Sequence, residues 1–567
     1  MTMTPDRVQF ARRRFERALI GRMDRRRLLT LGGVGILGVA VSRPGAPTRV
    51  FGQDALGTPI ASPEADPFAT PAAVAPVFTA TPFSLGVASG DPAPDGFVLW
   101  TRLAVTPRDG GGMQPIPYEV RWELASDDAF AQIVQSGTAI ASPALAHSVH
   151  VDVTGLQPAT DYFYRFTVGR EVSPVGRTKT APAPNAAVDQ LRFAFTSCAH
   201  FEHGYFGAYR DIAAQNFDLV FALGDYIYEM GPGDYSVYGE EDAPRRFTGS
   251  DLLDLALFRN RHALYKTDAD LQASHASAPW VVTWDDHETE NDYAALTRED
   301  PNPQAGFADI VAASYQAYYE HMPLRPFSMP QGPNMQLYRK LTWGTLAEFQ
   351  TLDNRQYRSD QPCGEGATVR CPAAYDPETT MLGPEQERWL LGNLDASQAT
   401  WNVLAQSVQM ADLDQSSGEA GATPMYWQDS WPGYPEARNR ILSHVMSRGI
   451  PNLAVLTGDI HCHWANDLKA DWSDAASQTI GTEFICTSVT AEGSAGASDF
   501  FREYLDGRNE HIRWFDGRHG GYTGVTVTPE LWTADYVQID DMRDPASALQ
   551  VINTVVTEAG NPGIQQG

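Results

Sequence analysis

Cys198, Asp225 and Tyr228 fall within one stretch, LRFAFTSCAHFEHGYFGAYRDIAAQNFDLVFALGDYIYE from Leu191 to Glu229. As thiolate, carboxylate and phenolate, all three can bind a metal as anions. Two later apolar runs end in the same manner, one in Asp285-Asp286-His287-Glu288 and the other in Gly458-Asp459-Ile460-His461, with His463 two residues on. Carboxylates gathered at one place repel one another unless a proton or a cation lies between them. Three apolar runs that end in acids, two of them with histidine, point to a metal centre.

The residues between these clusters indicate what holds them. Apolar runs ending at Cys198 and at Leu223 flank an amphipathic stretch from Tyr205 to Ala214, the pattern of a strand, a helix and a second, parallel strand. In parallel sheets ligands bind beyond the carboxyl ends of the strands, which is where Cys198 and Asp225 would stand. Further strand-like runs with polar ends occur at Val281–Asp292, Leu346–Asp360, Trp401–Met410, Asn452–Asp467 and Glu483–Gly493. The segments Gly231–Ser250 and Gln415–Pro435, rich in Gly, Asp, Tyr, Trp and Pro, are expected as loops around the site. From Ala546 onward apolar residues at helical intervals predict a terminal strand and helix.

Before Leu191 the pattern differs. Residues 83–185 alternate apolar and polar positions between turn signals, as in FSLGVASGDPAPDGFVLWTRL and HSVHVDVTGLQPATDYFYRFTVG, and predict a small all-β sandwich of the fibronectin or immunoglobulin kind. The change to strands alternating with helices sets the start of a second domain, 186–567. Residues 47–82, rich in Ala, Pro, Thr and Gly, form a linker. Residues 1–46 are an export address: Asp24-Arg25-Arg26-Arg27-Leu28-Leu29 precedes a Gly-rich apolar run, Leu31 to Val41, that is too short to span a membrane well. This is the form of a twin-arginine signal, whose partner is the twin-arginine export machinery and whose destination is the periplasm, cell wall or medium.

Composition narrows the function classes. With 42 Lys and Arg against 70 Asp and Glu, the formal charge of −28 argues against a general nucleic-acid or anionic-membrane binder. Five cysteines in an exported protein leave at least one unpaired. Cys363 and Cys371 bracket a short polar segment and are placed to close a disulfide loop in an oxidising compartment, leaving Cys198, Cys462 and Cys486.

With these motifs in hand, the chain resembles the calcineurin-like metallophosphoesterases: Gly224-Asp225 matches their second motif, Asp286-His287-Glu288 stands where the Asn and His of the third would be, and Gly458-Asp459-Ile460-His461 replaces the last. Cys198 first, GDYIY second, WDDHE third and GDIH last, together with LGVASGDPAPDGFVLWTRL near the start, make it similar to the alkaline phosphatase D (PhoD) family. The resemblance implies an αββα sandwich behind the β-sandwich domain. It also implies a trivalent iron held by Cys198, Tyr228 and His461, with Asp225 bridging to calcium. The donor types agree: thiolate, phenolate and imidazole suit a transition metal, whereas the oxygen set Asp225, Asp286 and Asp459 favours a hard cation. Whether Asp285 or Asp286 is the ligand stays open at this point, as does a second Ca²⁺; Asp286 matches the family's asparagine position.

The expected activity is hydrolysis of a phosphate monoester or diester by metal-activated water, with Asp225 and His287 as catalytic candidates. His200 and Arg355 are candidate phosphate contacts, and His463 is expected behind the ligands. A phospholipase D-type phosphodiesterase is the alternative enzyme, and a non-catalytic secreted binding protein the alternative from another class. The partners expected are a small phosphate ester and the export machinery, with no nucleic-acid or protein partner, for a monomer.

Overall fold

The structure is a computed structural model that describes residues 76–567 apart from 236–241, 300–304, 417–420, 475, 492–500, 502–504 and 506–507. The twin-arginine segment and most of the linker lie outside the described residues.

Two sheets lie face to face between layers of helices. The first has ten strands, in the order Asn561–Gln566, Leu549–Glu558, Leu531–Ile539, Gly521–Val527, Leu191–Thr196, Leu219–Leu223, Trp280–Thr283, Val87–Ala93, Gly96–Arg102 and Ser148–Val153. The second has seven, with Ala347–Thr351, Trp401–Ala405, Leu453–Thr457 and Thr479–Ile485 running parallel through its middle.

Period-two alternation explains the layering. In Leu191–Thr196 and Leu219–Leu223, the residues Leu191, Phe193, Phe195, Leu219, Phe221 and Leu223 enter the core between the sheets, against Phe349, Trp401 and Trp532. Ala194, Val220 and Ala222 face the other way, toward the helices Gly207–Ala214, Leu255–Lys266, Ala269–Ser277 and Phe307–His321. Strands buried on both faces are therefore continuous apolar runs in the sequence. The helices Gly383–Ala396 and Pro435–Arg448 cover the second sheet and complete the αββα arrangement.

The β-sandwich at the start of the chain is less separate than its sequence suggests. Its five-stranded sheet, built on Tyr118–Ala125 and Asp161–Val168, packs on Val87–Ala93, Gly96–Arg102 and Ser148–Val153 around Phe97, Leu99, Tyr164 and Phe166. Those three strands also belong to the ten-stranded sheet, because Val87–Ala93 runs parallel to Trp280–Thr283 with Gly90 opposite Trp280. Alternation reports which face of a strand is buried and says nothing about the partner at its edge, so this continuity left no mark in the sequence pattern. The joint is reinforced by Arg339 Nε on Asp91 Oδ1 at 2.7 Å and by His150 stacked on Tyr319 at 4.4 Å.

The tail corrects an expectation. In place of a strand and a helix, it makes two strands, Leu549–Glu558 and Asn561–Gln566, at one edge of the large sheet. Val551, Ile552, Thr554, Val555, Val556 and Thr557 are β-branched, and that stiffness favours a strand over the helical spacing of the apolar positions. The turn before them touches the chain beyond the first site strand, where Tyr205 N–H donates to Met542 O at 2.7 Å.

Candidate metal centre

Each cluster follows a parallel strand directly. Leu191–Thr196 leads to Ser197-Cys198, Leu219–Leu223 to Gly224-Asp225, Trp280–Thr283 to Trp284-Asp285-Asp286-His287-Glu288, and Leu453–Thr457 to Gly458-Asp459-Ile460-His461. The turns are tight enough to force unusual backbone: Cys198, Asp225, Asp459 and His461 have φ of 60°, 52°, 63° and 56°. Left-handed conformations cost a non-glycine residue on the order of 1–3 kcal/mol each, and they collect where function demands a particular direction for a side chain. Two glycines let the turns approach one another. A Cβ on Gly224, at φ 97°, would lie 2.4 Å from Asp285 Cβ, and one on Gly458 would lie 2.2 Å from Ser197 Oγ.

Among the described residues three groups of donor atoms result, each with its members within 4.8 Å of one another: Cys198, Asp225 and His461; Asp225, Asp286 and His287; and Asp286, Asp292 and Asp429. The Tyr228 hydroxyl joins the first group, donating to Asp225 Oδ2 at 3.1 Å and lying 3.2 Å from His461 Nε2. Cys198 is a buried free thiol, as are Cys462 and Cys486, while Cys363 and Cys371 are bonded with their Cα atoms 5.6 Å apart.

Electrostatics mark the same place. Burial, with Asp286, Asp285 and Glu288 adding their charge, pushes the Asp225 carboxyl well above its ordinary range, against the pull of His287. Its Oδ1 is buried without a protein hydrogen-bond partner. Burial likewise pushes the Cys198 thiol and the Tyr228 phenol far up, the charge of Asp225 adding to both. Asp286 behaves differently: although burial raises it, Arg355 and His287 hold it below its ordinary range.

Of the residues singled out from sequence, Cys198, Asp225, Tyr228, Asp286, His287 and His461 come together. Asp285 turns its Oδ1 to Arg355 Nε at 2.6 Å, and burial raises it to about 6 against that pull. Asp459 lies near the acids, whose charges add to burial in raising it, but it falls in none of the three donor groups. Arg355 is fully buried, with Nη1 on Asp429 Oδ2 at 2.8 Å and Nη2 3.7 Å from Asp286 Oδ2. His200 is likewise enclosed, stacked on His203 at 3.7 Å, and its Nδ1 accepts from Glu202 N–H at 3.3 Å. His463 lies within a strand with its ring against Tyr536 at 4.9 Å.

Sequence reasoning gave no separate role to four acids. Asp292 closes the WDDHETEND run, where its backbone N–H donates to Asp286 Oδ2 at 2.7 Å. Asp429 comes from the Gln415–Pro435 segment, expected only as loop, and is held by Arg355 and by Arg358 at 2.8 Å. Glu288 accepts backbone N–H groups of Asp225, Tyr226 and Asp285 at 3.1, 2.6 and 2.9 Å, tying two of the turns together. Glu229 pairs with His287. Glu288 belongs to the acid and imidazole cluster that the sequence shows, whereas Asp292, Asp429 and Glu229 have no spacing that sets them apart from ordinary loop acids.

An αββα sandwich with acids, imidazole and thiol converging at the ends of its parallel strands defines a metallophosphoesterase-type fold. Comparison with known proteins agrees. Residues 193–536 match the PhoD-like phosphatase family and residues 69–182 match the PhoD-like phosphatase N-terminal domain. The chain is 46% identical to alkaline phosphatase D of Bacillus subtilis (strain 168) over 492 residues, 87% of this chain and 83% of that one. It also superimposes on a solved structure of PhoD with a TM-score of 0.82 and 46% identity, covering 87% of this chain and 93% of the other. The chain belongs to the PhoD-like phosphatase family and is a phosphoesterase, a class that acts on small phosphate esters and depends on metal.

Proposed function

We propose that the protein is an exported phosphoesterase that hydrolyses phosphate monoesters or diesters at a centre holding Fe³⁺ and Ca²⁺. The observation that carries this reading is the first donor group, in which Cys198, Asp225 and His461 bring sulfur, oxygen and nitrogen within 4.8 Å of one another beside the Tyr228 hydroxyl. The residues fit the cations. A thiol outside any disulfide and a buried carboxylate oxygen without a protein partner suit a transition ion alongside phenol and imidazole. Asp286, Asp292 and Asp429 offer oxygen alone, which suits calcium. We therefore assign iron to Cys198, Asp225, Tyr228 and His461, one calcium to Asp225 and Asp286 with Asp459 nearby, and a second calcium to Asp286, Asp292 and Asp429.

Bound there, the cations supply Lewis acidity for activating water and for neutralising charge on the phosphoryl oxygens. The chain's own residues do the rest. Glu288 fixes the Asp225 and Asp285 turns relative to each other through three backbone N–H groups. Burial of Cys198, Asp225, Tyr228 and Asp286 keeps bulk water from the donors. His287 hydrogen-bonds the phosphoryl group or gives a proton to the leaving oxygen.

Export rests on the Arg25-Arg26-Arg27 segment, and among the described residues no helix is long and apolar enough to cross a membrane. We read the chain as signal 1–46, linker 47–82, sandwich 83–185 and catalytic unit 186–567. Elemental analysis of the mature protein is expected to find iron and calcium, with a visible band from phenolate or thiolate to Fe³⁺ that Cys198→Ala diminishes together with the iron. The same protein should hydrolyse p-nitrophenyl phosphate or its bis ester. Two zinc ions without iron, or iron content unchanged in Cys198→Ala, would overturn the assignment.

A further inference from the structure

Glu229 follows the ligand Tyr228 directly, in the loop that also supplies Asp225, and nothing in its sequence context gives it a task. In the fold both of its carboxylate oxygens are engaged on one neighbouring loop. Oε2 meets His287 Nδ1 at 2.8 Å, and Oε1 accepts the Asn291 backbone N–H at 3.0 Å. The pair is enclosed, with side-chain exposures of 6% for His287 and 11% for Glu229. On its flat side the imidazole meets the Tyr228 ring at 4.3 Å and 31°. The ring is thus held at an edge by Glu229 and at a face by Tyr228.

A carboxylate accepts and cannot donate, so this contact requires the hydrogen on Nδ1 and leaves Nε2 as the nitrogen available to substrate. We infer that Glu229 is a positioning residue for the phosphoester reaction, holding the ring of His287 in the orientation in which Nε2, the nitrogen that Glu229 leaves unengaged, faces the phosphoryl group. The inference rests on the reading of His287 given above. It goes beyond that reading in stating what makes the histidine competent and which residue is responsible. An imidazole without such a partner turns about its side-chain bonds. A carboxylate partner removes that freedom, and loss of such outer partners typically costs about 10- to 100-fold.

The bond from Asn291 N–H allows a rival account in which Glu229 only ties two loops together, and a double-mutant cycle separates the two. Glu229→Gln, Glu229→Ala, His287→Ala and the double variant Glu229→Gln/His287→Ala are purified with their metals, and kcat, KM, iron, calcium and melting temperature are measured with bis-p-nitrophenyl phosphate. Glu229→Gln keeps an oxygen for Asn291 N–H. It is expected to lower kcat about 10- to 100-fold, with KM within about two-fold and metal content as in the wild type. In the His287→Ala background the same change is expected to cost less than about two-fold, because residues acting as a unit are not additive. If His287→Ala is strongly impaired and Glu229→Gln costs the same factor with or without His287, Glu229 is a loop tie and the inference fails while the role of His287 stands. If His287→Ala has nearly wild-type kcat, the reading of His287 fails, and the inference with it. Loss of iron or calcium in Glu229→Gln would also overturn the positioning role, since the effect would then run through the ligands.

Discussion

Lys266 is a lysine buried without a negative partner, and replacing it with methionine should stabilise the protein. Its side chain is about 1% exposed, at the end of the Leu255–Lys266 helix where the sandwich meets the catalytic layers. The amine lies 3.1 Å from His275 Nε2, 4.5 Å from the centre of the Trp100 ring and 5.4 Å from that of Tyr226. Burial alone holds its pKa well below the usual lysine range. Arg102, His262 and His321 share the same joint and add no negative charge. Replacing buried charge with a well-packed apolar side chain is commonly worth about 1–4 kcal/mol. Against this stand one hydrogen bond, about 1 kcal/mol, and the contacts to aromatic faces. His275 Nε2 would not be left bare, because the Tyr226 hydroxyl lies 2.9 Å from it. A net gain of about 1–3 kcal/mol at pH 7 is expected for Lys266→Met. A base whose folded pKa is lowered costs stability when pH is low, and the cost fades as pH rises toward the unfolded value near 10.5. The advantage of the variant should therefore shrink between pH 7 and 10, by up to about 1.4 kcal/mol per unit. Urea unfolding of both proteins at pH 7, 8, 9 and 10 measures it. A variant less stable than wild type at pH 7, or a gap that does not shrink by pH 10, would refute the reasoning.

The metal reading predicts that EGTA abolishes hydrolysis while iron stays bound, and that added Ca²⁺ restores it. Asp286→Ala should lower calcium content with the fold intact, since Asp286 belongs to two donor groups. Asp285→Ala should instead lower the stability against urea unfolding by about 3–5 kcal/mol, because it strips one partner from the buried Arg355; a calcium loss larger than that of Asp286→Ala would count against the assignment. Away from the centre, burial tends to raise Asp412, but Arg438 and Arg370 more than offset it and hold the carboxyl low. A depressed carboxyl stabilises fully above its unfolded pKa, near 3.9, and loses that contribution as pH falls through its folded value. Asp412→Asn should thus cost about 3–5 kcal/mol at pH 7, as for any broken buried pair, and the difference should narrow below about pH 4 in denaturant titrations.

How legible the fold was depended on what each residue advertises. Buried parallel strands such as Leu219–Leu223 are unbroken apolar runs, and Gly224-Asp225 ends this one so abruptly that both the strand and the candidate donor after it could be read. The relation between strands was not legible. Val87–Ala93 looks like an ordinary sandwich strand, and its parallel pairing with Trp280–Thr283 depends on an edge that no side-chain pattern records. Leu549–Glu558 misled for a related reason: spacing favoured a helix while β-branching favoured the strand that the sheet edge could extend.

The same distinction governs the centre. Donor chemistry was visible wherever a rare residue type ended a strand, as at Cys198, Tyr228 and His461. Aspartate and arginine are common in loops, so the sequence could not tell a ligand from an ion pair: it left Asp285 and Asp286 open as alternatives, offered Arg355 as a phosphate contact and gave Asp429 no role. The fold separates them by distance. Arg355 takes Asp285 at 2.6 Å and Asp429 at 2.8 Å but stands 3.7 Å from Asp286, the acid that the second and third donor groups share. A guanidinium among carboxylates limits how many of them can serve a cation, and it holds the remaining ones in place before any cation arrives. Arg355, a candidate phosphate contact from the sequence, thus bears on which of these acids a cation could use, and Asp429 keeps one oxygen on each of Arg355 and Arg358.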